Sequence, residues 1–160
     1  MNEDKFELLE RTALDDFELI YGDDEVQKAS FMIKVNKALN FIKDKHKGQK
    51  RNITGEDYIN HPIRVFNILS TLNVSDDVLI ASLLHDILED TKTDYVELNY
   101  KFGSEVADLV KECTKPYLDL ESKDALTIKF ADMLENVLDK PTKEWIKKRC
   151  NMIRGGDNGK

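Results

Sequence analysis

Leu79–Thr93 reads LIASLLHDILEDTKT, the apolar run of a buried helix followed by His85, Asp86, Glu89 and Asp90 within six positions. On a helix drawn from Val78 to Asp90, at about 100° per residue, Ser82, His85, Asp86, Glu89 and Asp90 fall on one arc. Ile80, Leu83, Leu84, Ile87 and Leu88 fall on the other. The spacing predicts a core helix with an acid-rich stripe along its last turns. Carboxylates there face the negative end of the helix dipole, and crowding the acids together adds repulsion. A cation among them removes the conflict, and adjacent His and Asp are suitable ligands for a divalent metal.

On both sides of this stretch apolar residues recur at spacings of three and four, and only three prolines and seven glycines interrupt the chain. That pattern predicts an all-α domain. Helices are expected over Asp4–Tyr21, ended by Gly22, and over Glu25–Lys45, with Phe31, Val35, Leu39 and Ile42 on one stripe. A third covers Tyr58–Leu72, with Val65, Ile68, Leu69 and Leu72 inward and Pro62 tolerated in its first turn. Ser75 is placed to cap the helix of the opening stretch. Asp94-x-x-Glu97 resembles a capping box for a short helix to Tyr100. Further helices are expected over Ser104–Cys113 and Ser122–Leu138, and a last one opens at Pro141 and Thr142 and runs through Trp145 and Ile146. No strand, internal repeat or low-complexity segment is expected.

A chain of 160 residues, 41% hydrophobic and 34% charged, suits one globular domain with a real core. We expect that domain over residues 1–154, with 1–24 as an N-terminal helical extension and 155–160 as a flexible tail. The stripe Phe6, Leu9, Leu14 and Phe17 suits packing or a homo-oligomer contact. No apolar run reaches the roughly 18 to 20 residues that cross a bilayer. The start, MNEDKFELLE, is acidic where a signal peptide is basic. A cytoplasmic location without membrane attachment is therefore expected. Cys113 and Cys150 lack the C-x-x-C spacing of a zinc or redox pair and are read as reduced thiols.

The net charge of −7 disfavours nucleic acid as a partner, because phosphate backbones are held by positive fields. An anionic small substrate then needs a local reversal of sign. The run KDKHKGQKR (43–51) supplies one. Donors for a metal also occur elsewhere: His61 in YINHPIRV (58–65), and Asp132 among apolar neighbours in IKFADMLEN (128–136), where an unpaired buried carboxylate is costly. Singly, each has a structural reading, as a core histidine, a helix-end pair or a capping acid. Together, His61, His85, Asp86 and Asp132 make two imidazoles and two carboxylates, a set that suits Mn(II), Fe(II) or Zn(II) more than Mg(II).

The order H…HD…D resembles the HD-domain metal-dependent phosphohydrolase superfamily. The fuller set HKGQKR, YINHP, LLHDILEDT, FGSEVADLVKECTKP and IKFADMLEN is similar to the hydrolase domain of the Rel/SpoT alarmone enzymes and to the small alarmone hydrolases. The resemblance covers residues 25 to 140. It implies an HD-domain helical bundle of seven to eight helices holding one Mn²⁺ through His61, His85, Asp86 and Asp132, with Fe²⁺ or Zn²⁺ as alternatives. It implies Glu89 and Asp90 as the catalytic pair, and Lys50, Arg51 and Asn136 as contacts to a small-molecule nucleotide. The loop QKRNITGED is one residue longer than the usual form, and Asp57 stands where proline is common. The implied reaction is the stringent-response one, removal of the 3′-pyrophosphate from guanosine tetra- or pentaphosphate, giving GDP or GTP and pyrophosphate. Two alternatives stay open. The same site could release orthophosphate from NADPH or a nucleoside monophosphate, or the domain could bind or neutralise an alarmone without catalysis.

Overall fold

The computed structural model describes residues 25–52, 54–138 and 147. The helix expected over 4–21, the one expected from 141 onward apart from Lys147, the 155–160 tail and Cys150 lie outside the described residues. The elements are α1 (Glu25–Lys45), α2 (Asn60–Ser70), α3 (Asp76–Leu84), α4 (Ile87–Asp90), α5 (Tyr95–Phe102), α6 (Ser104–Cys113) and α7 (Lys123–Leu138), with a 3-10 turn over Tyr117–Asp119 before α7. Among the described residues no strand occurs; a single antiparallel bridge joins Lys50 and Asp57. The all-α expectation holds. No described helix is long and apolar enough to cross a membrane.

The centre of the molecule is α3, which is apolar nearly all round and buried from Val78 to Leu84. It packs on α1, α2, α6 and α7. Ser75 caps it by accepting from the Val78 amide at 3.4 Å. Ser82, its one buried hydroxyl, donates to the Leu79 carbonyl at 2.7 Å, so it adds no polar face.

The continuous helix expected over Val78–Asp90 is in fact two. The His85 ring bonds the Ser82 carbonyl at 2.8 Å, the acceptor that the Asp86 amide would use in an unbroken α-helix. Asp86 turns to φ −97°, ψ −2°, and α4 starts again with the Asp90 amide on the Asp86 carbonyl at 2.9 Å. Glu89 and Asp90 therefore sit on a separate turn and not at the end of a long helix. The dipole argument loses its force for them, and the case for a cation has to rest on where the side chains point.

Other faces follow packing. On α1 the expected stripe is buried at Phe31, Val35, Leu39 and Ile42. On α2 the inward residues are Ile63, Val65, Phe66 and Leu69, while Ile68 is half-buried and Leu72, past the helix end, is 48% exposed. On α7 the buried face carries Ala125, Ile128, Ala131, Asp132 and Glu135, and Phe130 and Leu134 point outward. Asp132 thus shares the buried face with Ala131 and is turned away from Phe130 and Leu134. The capping box at α5 is half formed: Asp94 accepts from the Glu97 amide at 2.8 Å, but the Glu97 carboxylate pairs with Lys45 of α1 at 3.0 Å. Gly103, at φ 90°, ends α5 and starts α6 without a linker.

Candidate active site

Four donors meet between α2, the α3–α4 break and α7. His61 Nε2 lies 3.2 Å from Asp132 Oδ1 and 3.5 Å from Asp86 Oδ2. His85 Nε2 lies 3.0 Å from Asp86 Oδ2 and 3.8 Å from Asp132 Oδ1. His61, His85 and Asp86 form a tight triad whose donor atoms all lie within 4.8 Å of one another. Asp132 approaches both imidazoles from α7. This is a His/Asp cluster that could bind a metal.

Hydrogen bonds on the far side of each ring fix which nitrogen faces the cluster. His85 Nδ1 donates to the Ser82 carbonyl, so Nε2 is the nitrogen that faces the cluster, and it is buried with no hydrogen-bond partner. His61 Nδ1 bonds Glu135 Oε2 in a short contact, which likewise leaves Nε2 facing inward. Imidazole nitrogens and carboxylate oxygens aimed at one point need a positive charge between them, a proton or a metal ion.

The electrostatics agree. Burial works against a charged imidazole, yet its hydrogen bonds to Asp132, Asp86 and Glu135 outweigh it and push His61 up to about 10. His85 also moves up, burial opposing and Asp86 prevailing. Burial would raise Asp86 as well, but the two histidines hold it well below the usual carboxylate range. Asp132 is lowered against burial by the His61 hydrogen bond and the His85 charge. A field that retains protons this firmly suits a divalent cation.

The outer ring of groups contains residues that the sequence did not single out. Glu135 accepts from Arg64 Nε at 2.6 Å and from Arg51 Nη2 at 3.3 Å, and Arg64 in turn clasps Glu56 through both terminal nitrogens. The Tyr58 hydroxyl donates to Asp86 Oδ2 at 2.5 Å. Burial and the Asp86 charge raise the phenol, which keeps its proton. His46, assigned no role from sequence, stacks on Tyr58 with centroids 4.8 Å apart and bonds Gln49 Oε1 at 2.7 Å. The available signal was a spacing of three: Tyr58 before His61, and Glu135 after Asp132.

A cleft of about 310 Å³ opens over the cluster, with His61, Asp86, Asp132, Glu89, Arg51 and Asn136 on its wall. Glu89 faces this cleft. Partial burial, Asp86 and Asp90 raise its carboxyl against the pull of Lys129 and His85. Asp90 lines the neighbouring pocket with Gln49 and Lys50. Arg51 and Asn136, far apart in sequence, bond each other at 2.7 Å, and Asn136 Nδ2 also donates to Asp132 Oδ1 at 2.5 Å. Lys50 is turned to the second pocket and pairs with Asp57 at 2.5 Å. Cys113 is buried, and burial pushes its thiol up to about 12, so it offers no nucleophile.

Fold and site together define a helical domain with a buried His/Asp metal-type cluster under an open cleft. Residues 38–144 match the HD domain, and the chain belongs to that family. A guanosine-3′,5′-bis(diphosphate) 3′-pyrophosphohydrolase of Aquifex aeolicus is 48% identical over 81 residues, covering 51% of this chain and 12% of that protein. A guanosine-3′,5′-bis(diphosphate) 3′-pyrophosphohydrolase MESH1 of Xenopus tropicalis is 39% identical over 119 residues, covering 64% and 66% of the two chains. A solved structure, described as a metazoan ortholog of SpoT that hydrolyzes ppGpp and plays a role in starvation responses, superposes with a TM-score of 0.63. It is 30% identical to this chain, over 78% of this chain and 88% of that one. The chain spans 12% of the length of the Aquifex relative.

Proposed function

We propose that this domain is a manganese-dependent (p)ppGpp 3′-pyrophosphohydrolase, with His61, His85, Asp86 and Asp132 holding one metal ion. The observation that carries the reading is the convergence of those four donors, two of them imidazole nitrogens, beneath a cleft whose wall bears Glu89, Arg51 and Asn136. Relatives that share this family are named for that activity.

A bound divalent ion supplies a Lewis acid and brings the pKa of water from about 15.7 towards 7. Glu89, with its raised carboxyl, accepts the proton of the attacking water. The water oxygen bonds to the phosphorus next to the ribose 3′ oxygen, and the bond between that phosphorus and the 3′ oxygen breaks. The 3′ oxygen takes up a proton, leaving GDP or GTP, and pyrophosphate departs. Arg51, tethered to Asn136, orients the nucleotide end of the substrate, while Lys50 and Asp90 shape the adjoining pocket.

Incubation with ppGpp, with Mn²⁺ or with chelator, followed by chromatography, tests this. Manganese-dependent GDP and pyrophosphate are expected, with both lost in chelator. Intact ppGpp under a metal-loaded protein would overturn the reading, and orthophosphate from NADPH or a nucleoside monophosphate would redirect it.

Glu135 adds a second check. As the partner of His61 Nδ1 it sets the ring's tautomer, so Glu135→Gln should weaken Mn²⁺ binding by about 10- to 100-fold in titration calorimetry. Unchanged affinity would show that the His61–Glu135 contact does not support a metal ligand.

A further inference from the structure

Lys129 stands on α7 one turn before Asp132, is only 9% exposed, and lines the cleft with Glu89. The other cations around the two pockets are engaged: Lys115 with Glu121 at 2.8 Å, Lys50 with Asp57 at 2.5 Å, Arg51 with Asn136 at 2.7 Å. Among the described residues no carboxylate pairs with the Lys129 ammonium. It lies instead over the Tyr117 ring, 5.6 Å from its centroid, and the Tyr117 hydroxyl donates to the Lys129 carbonyl at 3.1 Å. Tyr117 therefore fixes both the backbone and the charge of this lysine.

A largely buried ammonium with no carboxylate at ion-pair distance is costly; the charge of Glu89 on the same wall and an aromatic face offset only part of that cost. The cleft keeps the charge where an entering anion can pair with it. Three residues, roughly 4.5 Å of helix rise, separate Lys129 from Asp132. Lys129 thus starts one turn of α7 from a member of the His/Asp cluster, on the same cleft wall.

We propose that Lys129 is the anion-holding residue of this cleft and takes the outer phosphate of a diphosphate whose inner phosphate lies over the His/Asp cluster. The inference rests on the proposed function and deepens it: Lys129 selects a diphosphate over a monophosphate, because a single phosphate leaves the ammonium unpaired.

Inorganic pyrophosphate and orthophosphate, titrated separately into the manganese-loaded protein, test this without turnover. The wild type should bind pyrophosphate about tenfold or more tightly than orthophosphate. Lys129→Met, which keeps the apolar stem, should lose that preference while retaining Mn²⁺ affinity and orthophosphate binding. Lys129→Arg should retain most of the preference. A wild type with no preference for pyrophosphate overturns the proposal whatever the variants do. So does a Met variant that binds pyrophosphate as the wild type does, or one that loses both anions equally. Lys129-dependent pyrophosphate binding in a protein that leaves ppGpp intact would sink the hydrolase reading and keep this subsite.

Discussion

Alanine in place of His85 should leave the protein without bound metal and lower ppGpp hydrolysis by about 10³-fold or more. The figure follows from the several kcal/mol that a metal contributes as Lewis acid and water activator, at about 1.36 kcal/mol per tenfold in rate. His85 is the sharpest choice among the four donors. Its ring is wholly buried, its Nδ1 is committed to the Ser82 carbonyl, and its Nε2 has no hydrogen-bond partner. No neighbour can take its place. The substitution also strands Asp86 and Asp132 opposite each other with one imidazole fewer between them, so metal content and turnover are read alongside circular dichroism. Folded, metal-free, inactive protein is the expected result. Folded protein with full metal content and undiminished turnover would remove the cluster from the mechanism.

How far the sequence spoke for itself depended on how local each cause was. The boundaries of α1 and α6 coincide with the expected Glu25–Lys45 and Ser104–Cys113, because glycines and polar loops at their ends act within a few residues. The break between α3 and α4 was not legible. It depends on the His85 ring competing for the Ser82 carbonyl, and that ring is turned by a site assembled from three parts of the chain. The same holds for the outward turn of Phe130 and Leu134 and for the inward turn of Asp132. Periodicity gives a helix its apolar side, but a buried acid can share that side once imidazoles meet it.

At the site, residue type and order were enough to single out His61, His85, Asp86 and Asp132, and the structure brings them together. The residues that orient them were missed for a physical reason. Glu135 meets His61 across 74 positions and Tyr58 meets Asp86 across 28; each bond joins two distant parts of the chain, and neither residue looks unusual within its own. Arg51 and Asn136 were singled out separately, by resemblance. Only in the fold do they become one unit, with Asn136 linking the arginine to Asp132.

Glu89→Gln separates metal binding from chemistry. Glu89 lies outside the tight His61–His85–Asp86 triad but on the same cleft wall, so the variant should bind Mn²⁺ as the wild type does. Turnover should fall by about 10²- to 10⁴-fold, the usual worth of a positioned general base. The pH profile carries the sign. Desolvation at the cleft wall, with Asp86 and Asp90 nearby, raises the Glu89 carboxyl above its ordinary value, and a base works only when deprotonated. Wild-type kcat/KM should therefore fall as pH drops through that raised value, and the Glu89 limb should vanish from the residual activity of the Gln variant. Asp90 faces the neighbouring pocket, with its carboxylate 3.5 Å from Gln49 Nε2, so Asp90→Asn should cost less than Glu89→Gln and leave the acid limb in place. If instead Asp90→Asn removes that limb and Glu89→Gln does not, the proton acceptor sits in the second pocket and the two acids exchange roles.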